Sequence, residues 1–456
     1  MNKLVTRLLG LGRSFPPRRR VPVACHPCRD LCLQNINQQD GASLLKHFTL
    51  NIKASGPITV AEYMRQVLTN PVKGYYMHRD VLGEHGDFIT SPEISQIFGE
   101  LLGIWCVSEW LAAGRPKDIQ LVELGPGRGT LTSDMLRVFG QFKHLLNMCK
   151  ISVHLVEVSP TLSQVQAMTL TGKNIKPSED EASPVYMKAA TKAGLPIFWY
   201  QNVEDVPSGF TFFIAHEFFD VLPVHKLQKT QEGWREVLID IDPEVPDKLR
   251  YVLGSSTPLV ASTFIEEDEK RDHVEVCPSA AVIIQKLAQQ ISSYGGAALI
   301  ADYGHYGDKT DTFRGFQAHQ LHNELTDPGM ADLTADVDFK FLKRLIGDTA
   351  ASVGPITQRE FLRNMGIDIR LKILLEQAKD PATQNDLKSG YDILMRPEKM
   401  GERFHFFSVV PHSRLADRKP GPHTPSQHIA GVLWCILVSS LARCAGYPDI
   451  RYTRTL

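Results

Sequence analysis

The chain has 456 residues, enough for two or three domain equivalents of about 150 residues, or for one large α/β domain with insertions. Hydrophobic residues make up 43 % and charged residues 22 %, and the mean hydropathy is -0.16. These values exclude collagen-like, wholly disordered and multi-span membrane classes, while eight scattered cysteines read as free thiols in a reducing compartment. The net charge of -1 hides an asymmetry, because residues 1–40 carry seven Lys and Arg against two Asp and leave the remainder slightly acidic. An acidic body is unsuited to phosphate-backbone binding, so no nucleic-acid partner is expected.

In chain order, no acidic residue precedes Asp30, and Leu4, Val5, Leu8 and Leu11 fall on one helical face. Residues 1–40 therefore read as an amphipathic, basic mitochondrial transit peptide and linker, with a nucleic-acid-binding arm as the alternative. Cys25, His26, Cys28 and Cys32 have metal-like spacing but no second cysteine pair, so no metal site is assigned. Residues 41–115 read as a helical element with a loop at 86–93 that could fold over a ligand as a lid. In that loop Ser91 suits an N-cap, Pro92 the first helical turn and Glu93 the positive end of the dipole. Ile94, Ile97, Phe98, Leu101, Leu102 and Trp105 follow as one apolar stripe, which predicts core packing.

From Ile119 onward apolar runs alternate with helical patterns, the signature of an open parallel sheet. The expected strands are 119–124, 151–158, 196–200, 210–216 and 297–302, with a last one at 404–410. Short β-rich pieces at 224–227, 234–241 and 249–253 predict an inserted meander, so the main domain spans 116–411 with a β-rich insertion at 224–280 and a helical one at 340–400. The tail, 412–456, contains the apolar run 429–442, too short for a bilayer span of about 20 residues. No stable membrane span is expected.

The most informative segment is Leu121-Val-Glu-Leu-Gly-Pro-Gly-Arg-Gly-Thr130. An apolar strand ends in an acidic residue, Glu123, and a turn whose glycines, Gly125, Gly127 and Gly129, remove every Cβ where backbone must approach a nucleoside. The next position of a dinucleotide fingerprint is Thr130, not Gly, so the spacing is G-x-G-x-G and an NAD reading loses weight. A plain tight turn is the bland alternative. Glu157, at the end of the next apolar strand, can accept hydrogen bonds from both ribose hydroxyls of a bound nucleoside. Its distance from the glycines exceeds the usual spacing, and the polar stretch 140–150 absorbs the excess as a loop.

A second acidic loop, His216-Glu-Phe-Phe-Asp-Val-Leu-Pro223, follows strand 210–216. Two carboxylates three positions apart can grip a guanidinium, a planar fork of donors that stays protonated at neutral pH and needs a base when its nitrogen attacks. Glu217 is the first catalytic candidate and Asp220 the second. Against this, Asp220 could cap a following helix and Glu217 could be a structural ion pair. Asp302 and Tyr303, at the end of a further strand, could line the substrate side or simply turn the chain.

The segments at 86–100, 121–130, 154–159, 216–225, 301–305, 332–339 and 401–404 together resemble the MidA-like family, in its mitochondrial, complex I assembly form, over residues 48–411. The resemblance implies a class I, seven-stranded, Rossmann-like methyltransferase fold that uses S-adenosyl-L-methionine. It further implies a mitochondrial matrix location and symmetric dimethylation of an arginine on an iron–sulfur subunit of the complex I peripheral arm. By position, Glu123, Gly125, Gly127, Gly129 and Glu157 match the family's cofactor contacts. Two rival readings remain at this stage: an assembly chaperone that keeps the fold without turnover, and an NAD-dependent oxidoreductase.

Overall fold

A computed structural model of the chain describes residues 43–78, 89–180, 182–245 and 247–416. The transit segment with its cysteines, the start of the 86–93 loop and the tail beyond residue 416 with its apolar run lie outside the described residues.

The central sheet is built from β1 (Asp118–Leu124), β2 (Lys150–Val156), β3 (Val185–Ala190), β4 (Pro196–Tyr200), β5 (Thr211–His216), β6 (Gly296–His305), β7 (Ala351–Thr357) and β8 (Phe404–Val410). They run in the order β7-β8-β6-β5-β1-β2-β4-β3, and the two-residue strand Val337–Asp338 extends the end of β6. β1, β2, β4, β5 and β6 pair in parallel, whereas β8 is antiparallel to both neighbours and β3 is antiparallel to β4. Without the edge strand β3 this is the expected seven-stranded sheet. The inner strands are apolar on both faces because helices cover both, and β5 is buried along its whole length.

Six helices matter for the site: α1 (Leu44–Ser55), α2 (Val60–Thr69), α3 (Gln96–Ala112), α4 (Thr130–Gln141), α5 (Pro160–Thr171) and α6 (Pro278–Tyr294). The expected single helix from Ser91 is split. Thr90 precedes a short turn, Ser91–Ile94, and Ser95 then caps α3 by accepting from the Ile97 N–H at 3.3 Å. Nor does α3 present only a stripe. Residues from Gln96 to Trp110 are all buried, since α3 is packed by α4 and β6 and also by the later helix Ile367–Gln377.

The segments 224–227, 234–241 and 249–253 form antiparallel strands His225–Thr230, Gly233–Ile241 and Leu249–Leu253, joined by Ile58–Thr59 and His273–Val276 in one five-stranded sheet. The expectation of a helical 340–400 is corrected at Ala351–Thr357, which is the edge strand β7. Gly354 and Pro355 read as a breaker, but an edge strand needs no hydrogen bond from the side that faces away from its partner. The strand expected at 151–158 stops at Val156, which leaves Glu157 just past its end. The stretch 140–150 is no plain loop either, for it holds a short helix, Lys143–Leu146.

Candidate functional site

Register brings the predicted residues to one edge of the sheet. Leu124 of β1 pairs with Val156 of β2 and Ala215 of β5, and His216 pairs with Ala301 of β6. The glycine loop, Glu157, the acidic loop and Asp302 therefore all sit at the carboxyl ends of adjacent parallel strands. Here the strand order turns back, since the chain builds outward from β1 first on one side and then on the other. Open α/β sheets bind ligands at this position.

The glycine loop folds as a nucleoside cradle requires. Gly125, Gly127 and Gly129 have φ of 62°, 52° and 80°, the left-handed region that other residues avoid. The Gly125 N–H donates to the Val156 carbonyl at 3.0 Å, and Gly129 stands at the start of α4 with its N–H on the Pro126 carbonyl at 2.8 Å. A Cβ on Gly125 would come within 2.9 Å of the Phe218 ring, so the glycine loop and the acidic loop are in direct contact.

Glu157 is held ready. Its Oε1 accepts from the Ser159 N–H at 2.7 Å and its Oε2 from the Gln166 amide at 2.9 Å, which still leaves lone pairs for a ribose. Burial pushes its carboxyl up to about 7 despite these donors. Gln166, fully buried on α5, also donates to the Gly127 carbonyl at 2.8 Å and accepts from the Trp199 indole at 3.0 Å. It ties the glycine loop to Glu157. The sequence reading missed it, and the only trace was a glutamine on an inner face otherwise marked by Leu162, Ala167 and Leu170. Glu123 is different. It is buried, its carboxylate accepts from the Thr132 hydroxyl on α4, and burial raises it to about 8. This bond fastens β1 to the helix after the loop.

On the acidic loop, Glu217 has φ 49°, a strained backbone for a residue with a side chain. Its N–H donates to the Ala301 carbonyl at 3.0 Å, and the Ser91 backbone N–H favours the ionised form of its carboxyl. Even so, Oε1 is closed to solvent and has no hydrogen-bond partner, and the same is true of Asp220 Oδ1 and His216 Nε2. His216 Nε2 lies 3.6 Å from Glu217 Oε1, and burial depresses that imidazole to about 3, so it is neutral and provides no counter-charge. Burial, then the neighbouring Asp220 and Asp332, hold the Glu217 carboxyl well above the usual range. Asp220 is pushed up to about 7 by burial, against the opposing pull of Arg314.

Both bland readings fail on these facts. No helix follows Asp220, since the chain runs into strand His225–Thr230, and Glu217 has no cationic partner among the described residues. Arg314, whose charge acts on Asp220, is held by Asp336 at 2.7 Å. Asp302 joins the group from β6, and Tyr76 donates to Asp332 at 2.8 Å. No group of three His, Cys, Asp or Glu among the described residues is arranged to hold a metal ion.

The comparisons agree with this geometry. A family model described as "Putative S-adenosyl-L-methionine-dependent methyltransferase" matches residues 101–356. The chain is 70 % identical over 373 residues to a Xenopus laevis protein named "Protein arginine methyltransferase NDUFAF7, mitochondrial", covering 82 % of this chain and 85 % of that one. The Homo sapiens protein of the same name is 63 % identical over 82 % of this chain and 84 % of its own, and the Drosophila melanogaster homologue is 50 % identical over 81 % and 85 %. Among solved structures, a COG1565 superfamily member from Burkholderia thailandensis, bound to S-adenosyl-homocysteine, superposes with a TM-score of 0.64 at 21 % identity. It covers 88 % of this chain and 99 % of its own, and shares the fold. A turn of three left-handed glycines beside the buried acid Glu157 thus meets a matching family model, and the chain belongs to the MidA-like family of S-adenosyl-L-methionine-dependent methyltransferases.

Proposed function

We propose that this methyltransferase acts on an arginine side chain of a protein, with Glu217 and Asp220 receiving the guanidinium. The observation that carries the reading is the pair of partnerless buried carboxyl oxygens, Glu217 Oε1 and Asp220 Oδ1, on a loop in contact with the glycine cradle. Buried acceptors with no donor are costly, by roughly 1–3 kcal/mol each, and persist where a ligand supplies the donor. A guanidinium offers five N–H groups in a flat fork and a permanent charge, which suits two adjacent carboxylates.

The residues present fit S-adenosyl-L-methionine, with Gly125, Gly127 and Gly129 giving room for its close approach and Glu157 facing its ribose. When bound, it supplies a methyl group already activated by a sulfonium, so the chain contributes mainly position and electrostatics. Glu217 and Asp220 orient the arginine nitrogen, and Glu217 takes the proton that nitrogen releases as it becomes alkylated. The raised state of Glu217 aids this, because an arriving cation favours its ionised form and a carboxylate of raised basicity is the better proton acceptor. The relatives' names support an arginine methyltransferase of mitochondria, and the family resemblance implies the finer reading: an iron–sulfur subunit of the complex I peripheral arm as substrate, symmetric dimethylation as outcome, and the mitochondrial matrix, reached through residues 1–40, as location.

Glu217→Gln tests it. The variant keeps size and shape but loses the charge and the base, so it should bind S-adenosylhomocysteine within about twofold of wild type and lose arginine methylation by about 10² or more. Mass spectrometry of the complex I iron–sulfur subunits, in cells carrying only the variant, reads this out. Full methylation would move the catalytic role elsewhere. Normal complex assembly with no methylated arginine in wild-type cells would instead favour a chaperone.

A further inference from the structure

The acidic loop has no regular structure of its own, yet it must hold Glu217 in a left-handed conformation and two carboxyl groups in a fixed relation. Neither β5, which ends at His216, nor strand His225–Thr230 reaches residues 217–220. Their support comes from one side chain on another strand. Asp302 Oδ2 accepts from three consecutive backbone N–H groups, those of Phe218 at 3.2 Å, Phe219 at 2.9 Å and Asp220 at 3.4 Å. Its Oδ1 accepts from the Tyr303 N–H at 2.9 Å, which fixes the carboxylate plane. The Ala301 carbonyl next to it takes the Glu217 N–H at 3.0 Å. Four successive loop amides, 217–220, are thereby collected by residues 301 and 302, and Asp302 has no exposed surface.

We infer that Asp302 is a positioning residue for the transfer: it sets the loop so that Glu217 and Asp220 can meet the substrate nitrogen, without touching substrate itself. This rests on the reading of Glu217 and Asp220 given above. The pattern resembles an N-cap, in which a carboxylate gathers amides at the start of a helix, except that no helix follows and the gathered segment bears the proposed chemistry. A buried carboxyl group accepting several N–H bonds is a directional anchor. Burying it at the sheet edge is otherwise unfavourable, and no cation pairs with it among the described ion pairs, so its amide partners are its compensation. The Asp220 N–H is one of these donors, which couples the position of the second carboxyl to the same anchor.

The test uses the full chain with Asp302→Ala and Asp302→Asn. Alanine removes every acceptor. Asparagine keeps one oxygen for the loop and loses the second, so it should rescue in part. Calorimetric titration with S-adenosylhomocysteine counts folded sites and should give unchanged stoichiometry, with affinity within about threefold of wild type. Turnover on the purified iron–sulfur subunit, with each rate divided by that count, should show kcat down by about tenfold or more in Asp302→Ala and by less in Asp302→Asn. KM for S-adenosylmethionine should stay within about threefold in both, as expected when orientation and not binding is lost. Amide exchange at 218–220 should quicken in both variants while β5 and β6 keep their protection. A merely structural role would lower the binding stoichiometry and kcat together and leave the normalised rate intact. A normalised kcat equal to wild type, an asparagine variant no better than alanine, or unchanged exchange at 218–220 would overturn the inference. If Asp302→Ala does not fold, exchange and normalised kcat in Asp302→Asn still decide it. Should wild-type enzyme leave that subunit unmethylated, the substrate reading fails, while the exchange result still judges the anchor.

Discussion

At the scale of single residues, the site depends on positions where a side chain is either forbidden or deliberately left wanting. Gly125 is the clearest of the first kind, with φ 62° and a Cβ that would lie 2.9 Å from the Phe218 ring. Gly125→Ala should strain the cradle and push the acidic loop at once. It should weaken S-adenosylhomocysteine binding by tenfold or more and cost about 1–3 kcal/mol of stability. Calorimetry and chemical denaturation check both, and wild-type affinity would mean the loop does not carry the cofactor. Glu217 and Asp220 are of the second kind. Both were visible in the sequence as acids after an apolar run, but what makes them unusual was not, because an unmatched carboxyl oxygen is a property of its surroundings. The same limit explains Gln166 and Asp302. Gln166 joins a loop forty residues earlier to Glu157, and Asp302 holds amides more than eighty residues away. Only the sheet brings those pairs together. Glu123 likewise carries a tie the motif does not show, its carboxyl accepting from the Thr132 hydroxyl nine residues on.

Among elements, the strands that surround the site were legible because burial on both faces makes them continuous apolar runs, as in Phe212, Phe213, Ile214 and Ala215 of β5. The edges were not. β3 carries the exposed Lys188 and Ala190, and β7 contains Gly354 and Pro355, so neither has an unbroken run, and half-exposed edge strands leave weak patterns. Helix boundaries failed for a local reason, since Thr90, Ser91 and Ser95 all suit the start of a helix and two successive starts are in fact used. One pairing deserves a direct test. Gly296 opens β6 with φ 104°, and a Cβ there would sit 2.0 Å from the Thr211 carbonyl oxygen at the start of β5. Gly296→Ala must push the two strands apart at the end remote from the site. It should destabilise the protein by about 2–4 kcal/mol in denaturant melts while the surviving folded fraction keeps cofactor affinity. A loss below about 0.5 kcal/mol would show that the strand start is free to shift.

For the whole molecule, the proposed chemistry concentrates ionisable groups at one sheet edge, and this has a consequence for stability. Burial raises Glu123 to about 8 and Glu157 and Asp220 to about 7, and Glu217 and Asp302 also lie well above the normal range. In the folded state these carboxyls keep their protons where the unfolded chain has already lost them. A group raised on folding stabilises fully below its unfolded value, and that contribution is lost as pH climbs through the folded one. Opposing them, burial depresses His216 to about 3 and His154 to about 4, and it lowers His305 and His405 as well. Their folded forms lack the proton that the unfolded chain holds below about 6.5, so these four add stability as pH rises toward that value. Between pH 5 and 6.5 the histidines offset part of the loss from the carboxyls. Well above 6.5 the histidines are neutral in both states and only the carboxyls still act. The cofactor-free protein should therefore melt at a temperature that falls gently from pH 5 to 6.5 and more steeply from there to pH 8. Glu123→Gln, which cannot ionise yet still offers an oxygen to Thr132, should make the fall from 6.5 to 8 shallower. Thermal denaturation of both proteins across that range checks the argument, and a melting temperature that rises from pH 6.5 to 8 would show that these carboxyls are ionised in the folded chain and that the edge is wetter than its burial implies.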